Sequence, residues 1–290
     1  MSSGLPDFLA RSIEHQRRIG AEGADRLLEA GRRWDLAPVL QAGGSVIFPH
    51  ATLEVCGHQI AAAVSACLNS GASRVVVLGV LHALNGEMVE ARKRASAGGD
   101  DLLAEPLRGI QGPTLAGRDE WRREFSLSHF RFLWDLEVER RGTAGPELIT
   151  YYPFLAGGRP EDLRGIDEVR SACRDAVVVA TMDPFHHGIG YGDSTEDARY
   201  PESGGIDLAR KEIAIGFEVL KSGDNSAFER HCIQTKSDGR DVGQVLRLLL
   251  GPLDHEILDL VADDMAPSYR KPDPTWVAGA LIALRPGRKS

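Results

Sequence analysis

Apolar positions along this chain fall into short β-branched runs separated by segments with helical spacing. Two of the runs, Gly44-Ser-Val-Ile-Phe-Pro-His50 and Arg74-Val-Val-Val-Leu-Gly-Val-Leu-His82, share one grammar: each ends in a histidine. A single helix-sized, Ala-rich segment from Cys56 to Ser70 lies between them, with Asn69-Ser-Gly71 as its stop. This predicts strands over about 44–48 and 74–80 that are parallel neighbours. Further strands are expected at 146–152, at 175–181 (Asp-Ala-Val-Val-Val-Ala-Thr) and at 276–284, where small residues let another backbone come close. Helical spacing marks 6–31, split at Gly20 and Gly23, then 161–173, 205–221, 225–233 and 240–250. It also marks 120–141, whose aromatic stripe reads as core. Residues 84–120 carry many glycines and read as a long irregular loop, either a cover over a site or a solvated insertion. The alternation predicts one α/β domain over 1–290. Its central, mostly parallel or mixed sheet is covered by helices on both faces, and residues 1–40 form an N-terminal helical layer without chemistry of its own.

Composition narrows the function classes. The 290 residues are 42% hydrophobic and 26% charged, as in an ordinary globular protein, with a net charge of -8. An acidic chain is a poor general nucleic-acid binder, because neutralising phosphates needs a basic face. Cys56, Cys67, Cys173 and Cys232 form no C-x-x-C pair and read as reduced thiols. The first twenty residues carry Asp7, Arg11, Glu14, Arg17 and Arg18 and no apolar core of a secretory leader. No apolar run approaches the roughly 18 residues of a membrane span. A cytoplasmic protein without membrane or nucleic-acid partners is expected, with homo-oligomerisation left open.

Open α/β sheets bind ligands beyond the carboxyl ends of their strands. His50 and His82 would project from that one edge as a pair of metal ligands; two unrelated loop histidines are the alternative. The strand at 175–181 runs into Met182-Asp-Pro-Phe-His-His-Gly188, which brings Asp183, His186 and His187 to the same edge. Histidine changes charge near neutral pH, so this group suits acid–base chemistry; the alternative is a loop histidine hydrogen-bonded to Asp183. Asp238, in Lys236-Ser-Asp-Gly-Arg-Asp241, has two readings. It caps the helix that follows, or it completes a facial triad of two histidines and one carboxylate with His50 and His82, an Fe(II) arrangement that leaves positions open for a chelating substrate and dioxygen. Two His and an Asp also suit catalytic zinc. His15, His58, His129, His231 and His255 fall in helical readings, as packing or surface residues. Thr52 and Tyr191 are the candidate substrate contacts.

At these residues the sequence resembles the Memo family, which shares its fold with the LigB-type catalytic subunits of class III extradiol dioxygenases. The family's P-H-A-G-Y-x-Y-[SC]-G segment stands here as Pro49-His-Ala-Thr-Leu-Glu-Val-Cys-Gly57, and its I-L-G-P-S-H as Val77-Leu-Gly-Val-Leu-His82. Its E-H-S-L-E-V-Q-x-P-F-L helix is similar to Glu124-Phe-Ser-Leu-Ser-His-Phe-Arg-Phe-Leu133. Its S-D-[FL]-[CS]-H matches Met182-Asp-Pro-Phe-His186, and its A-A-G-A-L strand matches Val277-Ala-Gly-Ala-Leu281. The five segments keep their order from about residue 44 to 284. The resemblance implies a LigB/Memo-like fold and a metal at His50, His82 and Asp238. Memo proteins carry cysteine at the last position and extradiol enzymes a glutamate, so Asp238 tilts the expectation from a copper-binding thiolate site towards an Fe(II) oxygenase. His186 takes the position of the second-sphere acid–base histidine, and His187 a usually aromatic, substrate-facing one. Thr52 stands where the family has glycine, Val80-Leu81 replace Pro-Ser, and Asp241-Val242 replace His-Pro, which implies a reshaped pocket. The resemblance therefore implies a non-haem Fe(II)-dependent, extradiol-type dioxygenase acting on a small catechol- or aminophenol-like molecule and dioxygen. A non-catalytic Memo-like metal- or peptide-binding protein and a zinc-dependent hydrolase are the alternatives, with zinc or copper in place of iron.

Overall fold

A computed structural model describes residues 8–97, 107–157 and 159–287. In chain order its elements are α1 (Phe8–Gly31), α2 (Ala37–Gln41), β1 (Ser45–Phe48), α3 (Leu53–Asn69), β2 (Arg74–Leu78), α4 (Gly86–Ser96), β3 (Gly109–Gln111), α5 (Ser128–Arg141), β4 (Glu147–Phe154), α6 (Ile166–Ala172), β5 (Val177–Thr181), β6 (Phe185–Gly188), α7 (Gly205–Ser222), α8 (Asn225–Gln234), α9 (Arg240–Leu250), β7 (Leu253–Asp264), α10 (Ala266–Tyr269) and β8 (Thr275–Pro286). The strands form one mixed sheet in the order β3-β4-β2-β5-β1-β8-β6, with β7 on the other side of β8. The four strands β4, β2, β5 and β1 run parallel, and β3, β8, β6 and β7 join antiparallel.

Central parallel strands are covered on both faces and so read as continuous apolar runs. Alternate residues of β1, β2 and β5 therefore enter two separate cores. Val46, Phe48, Val75, Val77, Val177 and Val179 face one, with α1, α3 and α5; Ile47, Val76, Leu78, Val178 and Ala180 face the other, with α6, α7, α8 and α9. Small residues let α1 lie directly on α3. A side chain at Gly31 would sit 2.6 Å from the backbone nitrogen of Ala62, which explains the Ala61–Ala63 run beneath it.

Several expectations are corrected. β1 and β2 are parallel but not neighbours: β5 lies between them and pairs with both. A strand–helix–strand segment fixes direction and handedness, not adjacency, and the most apolar strand takes the centre. The segment 84–120 is not one irregular loop. It contains α4, capped by Asn85 Oδ1 accepting from Met88 N at 3.0 Å, and the edge strand β3; residues 98–106 of it lie outside the described residues. Helix α1 breaks its helical geometry at Gly20 (φ 62°) but runs through Gly23. The expected helix at 120–141 begins with a short 3-10 turn at Glu120–Arg123 and only becomes α-helical at Ser128. His186 and His187 lie on a strand, β6, rather than in a loop, and His255 belongs to β7 rather than a helix. Among the described residues, no helix is long and apolar enough to cross a membrane.

Candidate metal centre

The carboxyl ends of β1, β5 and β2 lie side by side, so His50, Asp183 and His82 gather at one edge of the sheet. Asp238 reaches the same place from the turn between α8 and α9. His50 Nε2 lies 3.0 Å and His82 Nε2 3.4 Å from Asp238 Oδ2. One potential ligand atom from each of these three residues falls within 4.8 Å of the others. Asp183, His186 and Asp238 satisfy the same limit, so Asp238 is common to both groups.

Hydrogen bonds behind each ring set its tautomer. Thr181 Oγ1 donates to Phe48 O at 2.9 Å, so its oxygen accepts from His50 Nδ1–H at 3.0 Å. His82 Nδ1–H donates to Glu124 Oε1, also at 3.0 Å. Both imidazoles are thereby assigned with Nε2 facing Asp238, the outer-shell arrangement that orients metal-binding histidines. Glu124 is itself held by the backbone. Its carboxylate accepts from the amides of Ala83 (3.0 Å), Phe125 (2.8 Å) and Ser126 (2.9 Å), and from His82 N.

Asp238 does not cap α9. The cap residue is Gly239 and no side chain caps the helix. Instead Asp238 Oδ1 accepts from Asp183 N at 2.9 Å, and Asp183 Oδ1 accepts from His50 N at 3.2 Å. Asp238 Oδ2 is buried and makes no hydrogen bond of ordinary geometry among the described residues. A buried carboxylate oxygen left in this way costs free energy, yet two ring nitrogens face it. A divalent cation bound by all three atoms would remove that cost, so the donor set fits a metal.

Charge at the centre is strongly perturbed. Burial works against a charged His50, but Asp183 and then Asp238 reverse it and raise its pKa. For His82, burial is likewise outweighed, chiefly by Glu124, and the pKa rises to about 10. Burial would raise Asp238, but His50 and His82 hold it far below the usual carboxylate range. Burial pushes Asp183 up to about 6 and His186 down to about 4. His186 is therefore neutral at pH 7, and its buried Nδ1 makes no hydrogen bond of ordinary geometry among the described residues.

The residues of the centre line a cavity of about 230 Å³, below the ~300–1,000 Å³ of typical ligand clefts and suited to a small molecule. Phe125 packs on His82 (4.7 Å between ring centroids), and Phe8 stacks on Phe125 (5.1 Å). On another wall Tyr191 meets His186 edge-on at 4.8 Å and Tyr269 at 5.7 Å. Thr52 and Tyr191 both line the cavity, and Thr52 N donates to Asp263 Oδ2 at 2.7 Å.

His187 is the exception among the expected residues. Neighbouring side chains on a strand face opposite ways, so with His186 in the cavity His187 turns away from it. Its Nε2 accepts from Arg199 N at 3.0 Å and its Nδ1 lies 3.0 Å from Asp193 Oδ2, a structural role. Sequence reasoning also missed Glu124, Thr181, Phe125, and the α1 residues Phe8, Arg11, Ser12 and His15; His129 too lines the cavity rather than only packing. The signal available for Glu124 was its place at the head of the 124–133 segment. No protein-family model matches the chain, and no characterised protein is significantly similar to it in sequence.

Proposed function

We propose that this chain is a non-haem Fe(II)-dependent oxygenase of the extradiol type, related to the LigB and Memo proteins, acting on a small chelating substrate of the catechol or aminophenol class. The observation that carries the reading is the convergence of His50 Nε2, His82 Nε2 and Asp238 Oδ2, each backed by hydrogen bonds, in the lining of a small cavity. His50, His82 and Asp238 would hold the ion, and iron bound by them would supply redox chemistry between substrate and dioxygen.

The chain's own residues do the rest. Phe8 and Phe125 on one side, Tyr191 and Tyr269 on another, offer ring faces and edges to a planar substrate and exclude water. His186, neutral at pH 7, accepts a proton from a substrate hydroxyl and can return it to the product. Asp183 holds the backbone of His50 in place through its carboxylate and Asp238 through its amide. The four free cysteines support a reducing compartment, and we place the protein in the cytoplasm.

A zinc-dependent hydrolase is the second reading. It is favoured by Asp183, whose Oδ2 lies 3.6 Å from His50 Nε2, within reach of a water on the same centre. One experiment separates the readings: anaerobic Fe(II) and Zn(II) titration of the wild type and Asp238→Ala, followed by air and a panel of catechols and aminophenols. Stoichiometric Fe(II), lost in the variant, with substrate-dependent oxygen uptake is expected. Metal held equally by the variant, or no oxygen uptake by iron-loaded protein across the panel, would sink the oxygenase reading.

A further inference from the structure

We infer that two ion pairs, Lys236–Asp193 and Asp241–Arg92, are positioning elements for Asp238: they hold the turn that carries it where its carboxylate meets His50 and His82. That turn, residues 235–239, joins α8 to α9. Its backbone is not in a resting conformation. Lys236 is left-handed (φ 56°), which a residue with a side chain adopts only at a cost. No side chain caps α9. Inside the turn Ser237 Oγ accepts from Gly239 N at 3.2 Å. Across it Thr235 O accepts from His186 N at 3.1 Å, and Asp238 Oδ1 accepts from Asp183 N at 2.9 Å.

The ion pairs grip this turn from both sides. Ahead of Asp238, Lys236 Nζ donates to Asp193 Oδ1. Asp193 is itself fixed to the end of β6: its Oδ2 accepts from Gly188 N at 2.7 Å and lies 3.0 Å from His187 Nδ1. After Asp238, the buried Asp241 accepts from Arg92 Nη2 of α4, the helix that follows His82. The Arg92 guanidinium lies over the Phe154 ring at 5.1 Å, and its Nε is buried without a hydrogen bond. Asp241 is the one acceptor it meets among the described residues. The turn is thus pinned to β6, which bears His186, and to the helix beyond His82. Charge-assisted hydrogen bonds are the strong ones, and a ligand already held in its productive place binds more tightly than one that binding must order. The proposal rests on the reading of His50, His82 and Asp238 as a metal site, but not on which metal it holds or on oxygen chemistry.

The test measures Zn(II) affinity of the full-length chain by competition titration, with Co(II) absorption as a report on the ligand set. Lys236→Met and Arg92→Met each remove one pin. Each should weaken Zn(II) binding by ~10–100-fold, the scale of changes to residues that support metal ligands, and shift the Co(II) spectrum towards that of Asp238→Ala. Lys236→Arg and Arg92→Lys, which keep the charge, should recover part of the affinity. In an Asp238→Ala background the two methionine substitutions should change nothing, because the pins act through Asp238. Should Arg92→Met fail to fold, the half-buried Lys236 carries the test. Methionine variants that bind like wild type overturn the proposal alone. So does an equal loss in both backgrounds, because the pairs would then support the fold or the histidines. A wild type that holds no Zn(II) overturns the metal reading as well. Loss confined to protein that retains Asp238 supports the proposal whether or not the iron-loaded protein takes up oxygen.

Discussion

Replacing Glu124 with glutamine tests how the centre is built without touching a ligand. The wild-type carboxylate accepts five hydrogen bonds: Oε1 from His82 Nδ1, Phe125 N and Ser126 N, and Oε2 from Ala83 N and His82 N. A glutamine has one acceptor oxygen and one NH₂. In its better orientation the oxygen keeps the first three partners, and the NH₂ faces the amides of His82 and Ala83. Two buried N–H donors are then stranded, at ~1–3 kcal/mol each, so the unfolding free energy should fall by roughly 2–6 kcal/mol. Against the ~5–15 kcal/mol of a typical domain this is large. His82 would also lose the negative charge behind its Nδ1, and outer-shell changes of this kind cost ~10–100-fold in metal affinity. Urea unfolding of metal-free protein and Zn(II) competition titration read the two effects. Stability within ~1 kcal/mol of wild type together with unchanged affinity would show that Glu124 neither holds the His82 loop nor orients the ring.

The two adjacent histidines of β6 should behave oppositely. His186→Gln should abolish turnover while leaving metal binding in place, and His187→Gln should lower thermal stability with little change in kcat, measured by oxygen uptake; loss of kcat in both would contradict the strand alternation. In metal-free protein, the raised pKa of His82, about 10 against an ordinary 6.5, means that its charged form stabilises the fold fully below about pH 6.5, and that this stabilisation is lost as pH rises towards 10. The difference in unfolding free energy between wild type and His82→Gln should therefore shrink over that window. Because His82 is held protonated, metal binding at pH 7 should also release protons, seen as a buffer-dependent heat in calorimetry; a buffer-independent heat would mean that its ring was already neutral.

Much of this architecture is a local property of the chain. Val-rich runs buried on both faces can only be central strands, and His50 and His82 follow two of them, so the sheet edge and its two histidines are set by periodicity. The mixed α/β class follows for the same reason. Other elements lack a local signature: β3 is only three residues long, and β7 is a half-exposed edge strand whose period is broken by an irregularity at Ile257–Asp259. Asp238 was locally ambiguous, since Ser-Asp-Gly before a helix reads as a cap. The tertiary structure removes the cap reading, since Gly239 is the cap residue, and sets His50 and His82 against the Asp238 carboxylate.

What the sequence alone determined is the five strands β1, β2, β4, β5 and β8 and the histidines that follow β1 and β2, because alternation and β-branching act over a few residues. What only the tertiary structure decided is which side chains share the cavity. The insertion of β5 between β1 and β2 brings Thr181 and Asp183 to His50, β6 turns His186 in and His187 out, and the packing of α1 against the sheet's helices carries Phe8 and Arg11 to the centre. Those placements depend on contacts between residues far apart in the chain, such as His186 with Val277 and Arg11 with Ser268, and no local pattern encodes them.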